Sequence, residues 1–463
     1  MPSKKQAPSP APERQLFGTD GIRGVANADV MTPELALALG RAVTYVAGRG
    51  KNHAPRVLIG KDTRLSGYML ETAIASGVCS AGGMVTLCGP IPTPAVAHLT
   101  VAMRADCGVV ISASHNPYDD NGIKLFGPDG FKLPDDREAE IERLMAPGAP
   151  LPRPTGPGVG RALKLEDSRG RYVVFAKASF PRHMTLDGIR VVVDCAHGAA
   201  YRVAPMVFGE LGASVTAIGV RPNGTNINED CGALHPDRVR AEVVRRGAHI
   251  GIALDGDADR LIVVDEKGQV VDGDAVMAMC AARMLKDGEL AKKTVVATVM
   301  SNLGLERALH AQGARLVRTQ VGDRYVVDAM RKGGYNLGGE QSGHLVFLDH
   351  ASTGDGTVAA LQVLALMMRE EKALSELAAQ AMERVPQVLT SVTLPRRLPL
   401  ESMKALGRAQ ARVEKELGKH GRVLVRWSGT EPKLRIMLEG PDEGRLREWA
   451  DELGRAARRD ATP

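Results

Sequence analysis

One pattern recurs three times along this chain of 463 residues and constrains its fold more than any other feature. Each copy reads as an apolar strand, a helix, a strand opened by glycine, a second helix, and a third strand ending in polar residues. The first strands fall at 57–59, 191–193 and 294–299. The second follow Gly82-Gly83, Gly212-Ala213 and Gly313-Ala314. The third follow or include Ala105-Asp-Cys-Gly108, Gly247-Ala-His-Ile250 and Gly333-Gly-Tyr-Asn336. Strands alternating with helices build α/β units, whose ligand chemistry sits beyond the carboxyl ends of the strands. Loops of unusual composition occupy those ends at 112–117, 255–260 and 339–344. Converging on one cleft, they would make a composite site.

Composition marks the borders. Residues 1–14, with Pro2, Pro8, Pro10 and Pro12 among small and charged residues, read as a disordered tail. Three α/β domains are expected at 15–165, 166–268 and 269–383, carrying the three loops in turn. The Pro- and Gly-rich stretch 146–160 reads as linker or exposed loop, and further breaks are expected at 265–274 and 384–400. Residues 384–463 form a smaller C-terminal domain: a helix, a strand at 423–425, a glycine turn, a strand at 434–438 and a closing helix. It is α+β and is no fourth copy.

Bulk properties narrow the function. Aromatics at 3% leave few platforms for stacking bases, and the net charge of +6 is spread without a long basic run. Nucleic acid is therefore not expected, whereas an anionic small molecule fits. No stretch approaches the ~20 apolar residues of a membrane span, and no signal-peptide core is present. A cytoplasmic protein without membrane contact is expected. Six cysteines without a CxxC pair point to reduced thiols.

Ser114 sits at the tip of the first loop and is the candidate nucleophile; an ST-turn would explain it if it stood alone. Pro117 and Gly122 are expected to shape the turn, with Asn121-Gly122 supporting positive φ. His115 is adjacent, but neighbours on an extended segment point apart and cannot pair as nucleophile and base. In Asp255-Gly-Asp-Ala-Asp-Arg260, alternate residues face the same way, so Asp255, Asp257 and Asp259 converge. Three close carboxylates repel unless a hard cation neutralises them, and oxygen ligands suit Mg²⁺. Arg260 stands where a calcium loop requires glycine, which excludes that geometry. Glu340, Ser342 and His344 bring mixed donors and acceptors suited to hydroxyl-rich ligands. Ser428, Gly429 and Thr430, flanked by Arg426 and Arg435, bring the donors that hold phosphate.

Taken in order, these loops resemble those of the α-D-phosphohexomutases, over nearly everything from Phe17 to about Arg455. Ser112-Ala-Ser-His-Asn-Pro117 is similar to the family's phosphoserine loop, 255–260 to its metal loop, 339–344 to its sugar loop and 426–435 to its phosphate loop. Gln341, with Ile59-Gly-Lys-Asp-Thr-Arg-Leu-Ser-Gly67, Gly89-Pro-Ile-Pro-Thr-Pro94 and Thr298-Val-Met-Ser-Asn-Leu-Gly304, resembles the glucosamine branch. Trp427 departs from the family, which more often has Pro, Lys or Ala there.

The resemblance implies an α/β fold: three similar domains with mixed sheets around a central cleft, plus a mobile fourth domain. It implies an isomerase that interconverts glucosamine 6-phosphate and glucosamine 1-phosphate, supplying amino-sugar nucleotide and cell-wall precursor synthesis; glucose or mannose phosphates are the alternative. Ser114 would carry phosphate, and Mg²⁺ would sit on Asp255, Asp257, Asp259 and a phosphoserine oxygen. Glucosamine 1,6-bisphosphate would be the intermediate. Lys124 and His344 would be general acid and base in an unassigned order, and Arg23 and Arg260 would stabilise charge. Glu340, Ser342 and His115 would bind sugar, and Arg426, Ser428, Gly429, Thr430 and Arg435 the non-reacting phosphate. The assembly stays open between monomer and homodimer.

Overall fold

The computed structural model describes residues 15–428 and 433–461. The tail at 1–14, Gly429 and Thr430 lie outside the described residues.

Four sheets follow one another along the chain. The first contains β1 (Ile22–Val25), β2 (Arg56–Lys61), β3 (Met84–Pro90), β4 (Cys107–Ile111), β5 (Asp120–Phe126) and β6 (Ala162–Lys164), in the order β1-β5-β4-β2-β3-β6. The second contains β7 (Arg190–Asp194), β8 (Ser214–Ile218), β9 (Ile250–Leu254), β10 (Leu261–Asp265) and β11 (Val270–Val271), in the order β11-β10-β9-β7-β8. The third contains β12 (Thr294–Thr298), β13 (Arg315–Thr319), β14 (Leu337–Gly339) and β15 (Leu345–Phe347), in the order β13-β12-β14-β15. The fourth is the antiparallel sheet β16 (Gln387–Thr393), β18 (Lys433–Glu439) and β17 (Arg422–Trp427), with β18 central.

The repeat read from sequence is a shared topology. In each of the first three sheets the second, first and third strands of the copy lie side by side in parallel. An antiparallel return strand then pairs with the third: β5 with β4, β10 with β9, β15 with β14. These sheets are therefore mixed, and each diagnostic loop is the turn of a hairpin. The central strands β4, β9 and β12 are buried along their whole length, as strands covered on both faces must be.

One local reading gains a strand and one needs correction. The break read at 384–400 does separate the third and fourth sheets, and it also contains β16, which pairs with β18 along its full length; prolines and arginines on either side hide its alternating pattern. Asn121-Gly122 is no turn, since both residues lie in β5. Glycine is required at 122 because a Cβ there would come within 2.6 Å of the Ser112 carbonyl oxygen.

One apolar cluster runs through all three α/β domains, from Leu58 and Phe126 through Tyr172, Val191 and Leu254 to Val295 and Leu361. At its centre lies the helix Gly356–Glu370, whose Val358, Leu361, Val363 and Leu364 are almost wholly buried. Each such side chain contributes roughly 1.5–3 kcal/mol by leaving water. Asp355 caps this helix, accepting from the Thr357 and Val358 amides at 2.9 and 3.0 Å and from the Tyr172 hydroxyl at 2.9 Å. Tyr172 comes from the helix Ser168–Ala178, so this cap ties the second domain to the third.

The fourth domain has a core of its own, including Leu406, Leu434, Ile436 and Leu453. It meets the third domain where Arg422 donates to the carbonyls of Val299 (2.8 Å) and Ser301, and where buried Glu439 accepts from the Leu303 amide at 3.3 Å. All six cysteines are unpaired, and five are buried. Among the described residues no helix is long and apolar enough to cross a membrane.

Candidate active site

The three hairpin turns meet. Leu261 donates its amide to the Gly343 carbonyl at 2.9 Å, and Arg260 and His344 form an antiparallel bridge, so the second and third loops touch along their backbones. Gly343 has φ +92°, and a Cβ on it would lie 2.1 Å from the Leu261 oxygen. The first and second loops approach closely at Gly256, where a Cβ would meet the Ser114 carbonyl oxygen at 2.5 Å.

Ser114 is buried and adopts φ +54°, a left-handed conformation that costs a non-glycine residue about 1–2 kcal/mol. Its surroundings over-determine that conformation. The Ser112 hydroxyl accepts from the Ser114 amide at 2.9 Å and donates to Asp62. Arg64, fully buried, pairs with Asp62 through Nε at 2.8 Å. Its two terminal nitrogens donate to the carbonyls of Ser114, Asn116, Pro117 and Asp120. Asn228 adds donations to the carbonyls of Ser114 and Asn116 at 2.9 and 3.0 Å. Strain held in place this way is a mark of functional loops. Arg64 and Asn228 were not singled out from sequence as site residues. Arg64 lies within the motif that follows β2, and a polar run after a first strand was the available signal.

The left-handed turn also overturns the expectation that Ser114 and His115 point apart. Their Oγ and Nδ1 are 3.2 Å apart, because the segment is not extended there. Burial, with the positive charges of Arg260 and Arg23, pushes His115 down to about 4. Its imidazole is neutral at physiological pH.

Asp255, Asp257 and Asp259 are all buried, with ligand oxygens within 4.8 Å of one another. The Ser114 hydroxyl donates to Asp255 at 2.6 Å. Asp257 Oδ2 accepts from Thr93 Oγ1 at 2.6 Å and from Lys124 Nζ at 3.0 Å. Asp257 Oδ1 and Asp259 Oδ1 are buried without a hydrogen-bond partner. Burial, reinforced by the charges on Asp259 and Asp257, pushes the Asp255 carboxyl well up. Converging buried oxygen donors, two of them without a hydrogen-bond partner, fit a hard divalent cation such as Mg²⁺.

Lys124, on β5, is buried against this triad, its Nζ 3.3 Å from Asp259 and 3.1 Å from Asp20. Burial alone would pull its ammonium down, but Asp20, Asp257 and Asp259 outweigh that and hold it well above the usual range. His344 stands across the triad, with Nδ1 3.7 Å from Asp259 and Nε2 3.4 Å from Asp323. Burial would lower it; Asp323 and Asp259 raise it to about 9. Arg260 is nearly buried and its Nε lacks a partner, as does Nε of Arg23, whose terminal nitrogens reach Asp20 and Asn116.

In the third loop Glu340 accepts from the Gly322 amide at 3.1 Å, while Ser342 is exposed. Gln341, taken from sequence as a mark of sugar preference, donates to Asp272 at 3.4 Å, the cap of the helix Gly273–Asp287. From the fourth sheet, Arg426 and Arg435 stand directly opposite each other. Burial and the Arg435 charge lower Arg426, and the Glu340 charge opposes them. Ser428 is buried, its amide donating to the Lys433 carbonyl at 2.8 Å. Trp427 donates to the Leu398 carbonyl at 2.9 Å and packs on the fourth core.

Four models of the phosphoglucomutase/phosphomannomutase family match successive parts of the chain: alpha/beta/alpha domain I at 14–149, domain II at 171–268, domain III at 272–385 and the C-terminal domain at 389–456. The chain belongs to this family, the α-D-phosphohexomutases, and is an isomerase of the mutase type. It is 67% identical to a phosphoglucosamine mutase of Sorangium cellulosum, over 96% of this chain and 93% of that one. It is 57% identical to a phosphoglucosamine mutase of Myxococcus xanthus, over 98% of each. The fold is similar to that of a phosphoglucomutase/phosphomannomutase family protein from Burkholderia thailandensis, with a TM-score of 0.80 at 24% identity over 96% of this chain and 97% of the other. It is also similar to an Aspergillus fumigatus N-acetylphosphoglucosamine mutase solved with GlcNAc-6P and magnesium, with a TM-score of 0.64 at 18% identity over 98% and 97%.

Proposed function

We propose that this chain interconverts glucosamine 6-phosphate and glucosamine 1-phosphate through a phosphorylated Ser114. The observation that carries the reading is the 2.6 Å contact between Ser114 Oγ and Asp255, inside a triad with unpartnered buried oxygens. A serine held there is poised to carry a phosphoryl group. The choice of glucosamine rests on the relatives at 57–67% identity, all phosphoglucosamine mutases.

Asp255, Asp257 and Asp259 would hold Mg²⁺ together with an oxygen of phosphorylated Ser114. Bound there, the cation would act as a Lewis acid on the transferring group. The sugar's 1-hydroxyl attacks the phosphorus of phosphoserine 114; the new O–P bond forms as the bond to Ser114 Oγ breaks, giving glucosamine 1,6-bisphosphate. The bisphosphate reverses its orientation, and its 6-phosphoryl group moves to Ser114, leaving glucosamine 1-phosphate. Lys124 and His344, on either side of Asp259, are the two groups placed to exchange protons with the sugar hydroxyl and with Ser114 Oγ. Arg260 and Arg23 offset the charge that develops on the transferring group. Glu340, Ser342 and His115 contact sugar hydroxyls, and Arg426, Ser428, Gly429, Thr430 and Arg435 hold the phosphate that is not reacting.

Comparing kcat/KM on glucosamine, glucose and mannose 6-phosphates tests the substrate. Glucosamine 6-phosphate should lead by tenfold or more, within the reach of one polar substituent. Equal or better turnover of glucose or mannose 6-phosphate would assign the chain to the glucose/mannose branch instead.

A further inference from the structure

Lys124 and His344 are linked by a second route that avoids the aspartate triad. Lys124 Nζ lies 3.1 Å from Asp20, whose other oxygen pairs with the Lys132 ammonium. Lys132 pairs at the same time with Asp323, and Asp323 lies 3.4 Å from His344 Nε2. His344 Nδ1 and Lys124 Nζ then meet on the two oxygens of Asp259. The six side chains form a closed ring of alternating charge: Lys124, Asp20, Lys132, Asp323, His344, Asp259.

The ring draws on all three α/β domains. Asp20, Lys124 and Lys132 come from the first, Asp259 from the second, Asp323 and His344 from the third. Lys132 is its keystone, only 10% exposed and the sole ring member that touches neither the triad nor a triad neighbour. It separates two carboxylates, Asp20 and Asp323, that would otherwise repel across the domain boundary. Burial favours their neutral forms, and the Lys132 charge is among those that keep both ionised. Without it, each carboxylate would be free to pull its own partner, Lys124 or His344, away from Asp259.

We propose that Lys132, through Asp20 and Asp323, is a positioning residue that sets the spacing of Lys124 and His344 across the reacting centre and makes that spacing depend on the docking of the first and third domains. The proposal rests on the mutase reading for its kinetic consequences and on geometry alone for the rest.

Lys132→Met should lower kcat about 10²-fold, the cost of misplacing a catalytic group by about an ångström, with KM within threefold of wild type. Lys132→Arg, which keeps a cation able to bridge two carboxylates, should recover at least a third of wild-type kcat. The double variant Asp20→Asn with Lys132→Met should lose about as much as the worse single change, because coupled groups are not additive. A kcat for Lys132→Met within twofold of wild type would overturn the proposal, as would a double-variant loss equal to the product of the single losses. A readout independent of turnover is the ¹³C-labelled imidazole spectrum of the intact protein. In Lys132→Met the His344 resonance should move and those of most of the other histidines should not. A stationary His344 resonance rejects the ring whatever the enzyme turns over. A moved resonance in a protein that turns over no hexose phosphate upholds the ring and rejects the mutase reading.

Discussion

Ser114 Oγ on the first sheet's hairpin turn donates a 2.6 Å hydrogen bond to Asp255 on the second sheet's turn. That bond joins the group expected to carry phosphate to the carboxylates expected to carry the metal. It exists because Ser114 is left-handed: an extended serine at the same position would turn its hydroxyl elsewhere.

The triad should set the metal requirement. Asp257 Oδ1 has no partner, and its Oδ2 receives Thr93 and Lys124, so Asp257→Ala removes a ligand and frees two donors. A chelator should abolish wild-type turnover and Mg²⁺ should restore it. In Asp257→Ala the Mg²⁺ needed for half-maximal rate should rise tenfold or more, with kcat down at least 10²-fold. Mg²⁺ titration of the rate checks this; an unchanged titration curve would reject the triad as the metal site.

Gly354 makes room for His344. A Cβ at 354 would lie 2.4 Å from the imidazole Nε2, closer than such contacts occur, so Gly354→Ala must displace the ring. The expected result is a kcat loss of about 10–10²-fold with little change in thermal midpoint, since a side-chain tip can give way where backbone cannot. Parallel kinetics and thermal melts decide it; wild-type kcat would show that the imidazole position does not matter.

Asp355 should link stability to pH. Burial pushes its carboxyl up to about 6 against the bonds from Val358, Tyr172 and Thr357. Its folded value lies above the unfolded one of about 4, so its contribution is fully present below about pH 4 and is lost as pH rises through about 6. Asp355→Asn keeps a capping side chain and should flatten the fall in stability between pH 4 and 7 relative to wild type. Asp355→Ala also strands the Tyr172 hydroxyl and should cost about 2–4 kcal/mol. Denaturant unfolding at several pH values measures both; parallel pH profiles for wild type and Asp355→Asn would contradict the assignment.

The sequence disclosed the parts of the site that belong to a single hairpin. The convergence of Asp255, Asp257 and Asp259 was legible from three carboxylates crowded after a buried strand, although they meet around a tight turn with Ala258 at φ +57° and not on one face of an extended segment; the three-fold strand pattern placed their loop beside those of Ser114 and His344. Properties arising between elements were not legible. Ser114's left-handed turn depends on Arg64, fifty residues earlier, and on Asn228, over a hundred later. Its contact with His115 follows from that turn and reversed the expectation drawn from an extended chain. Lys132 and Asp323 meet only once two domains dock, and no local pattern marks either. The strand β16 was obscured by the prolines and arginines around it, and its place on the central strand of the fourth sheet decides its state.

The most direct test is the phosphorylation state of Ser114. Intact-mass and peptide mass spectrometry of the purified protein should find a phosphoryl group on Ser114, lost on incubation with excess glucosamine 6-phosphate as the bisphosphate forms. Ser114→Ala should show neither the modification nor interconversion of the two glucosamine phosphates. Full mutase activity in Ser114→Ala would contradict the account.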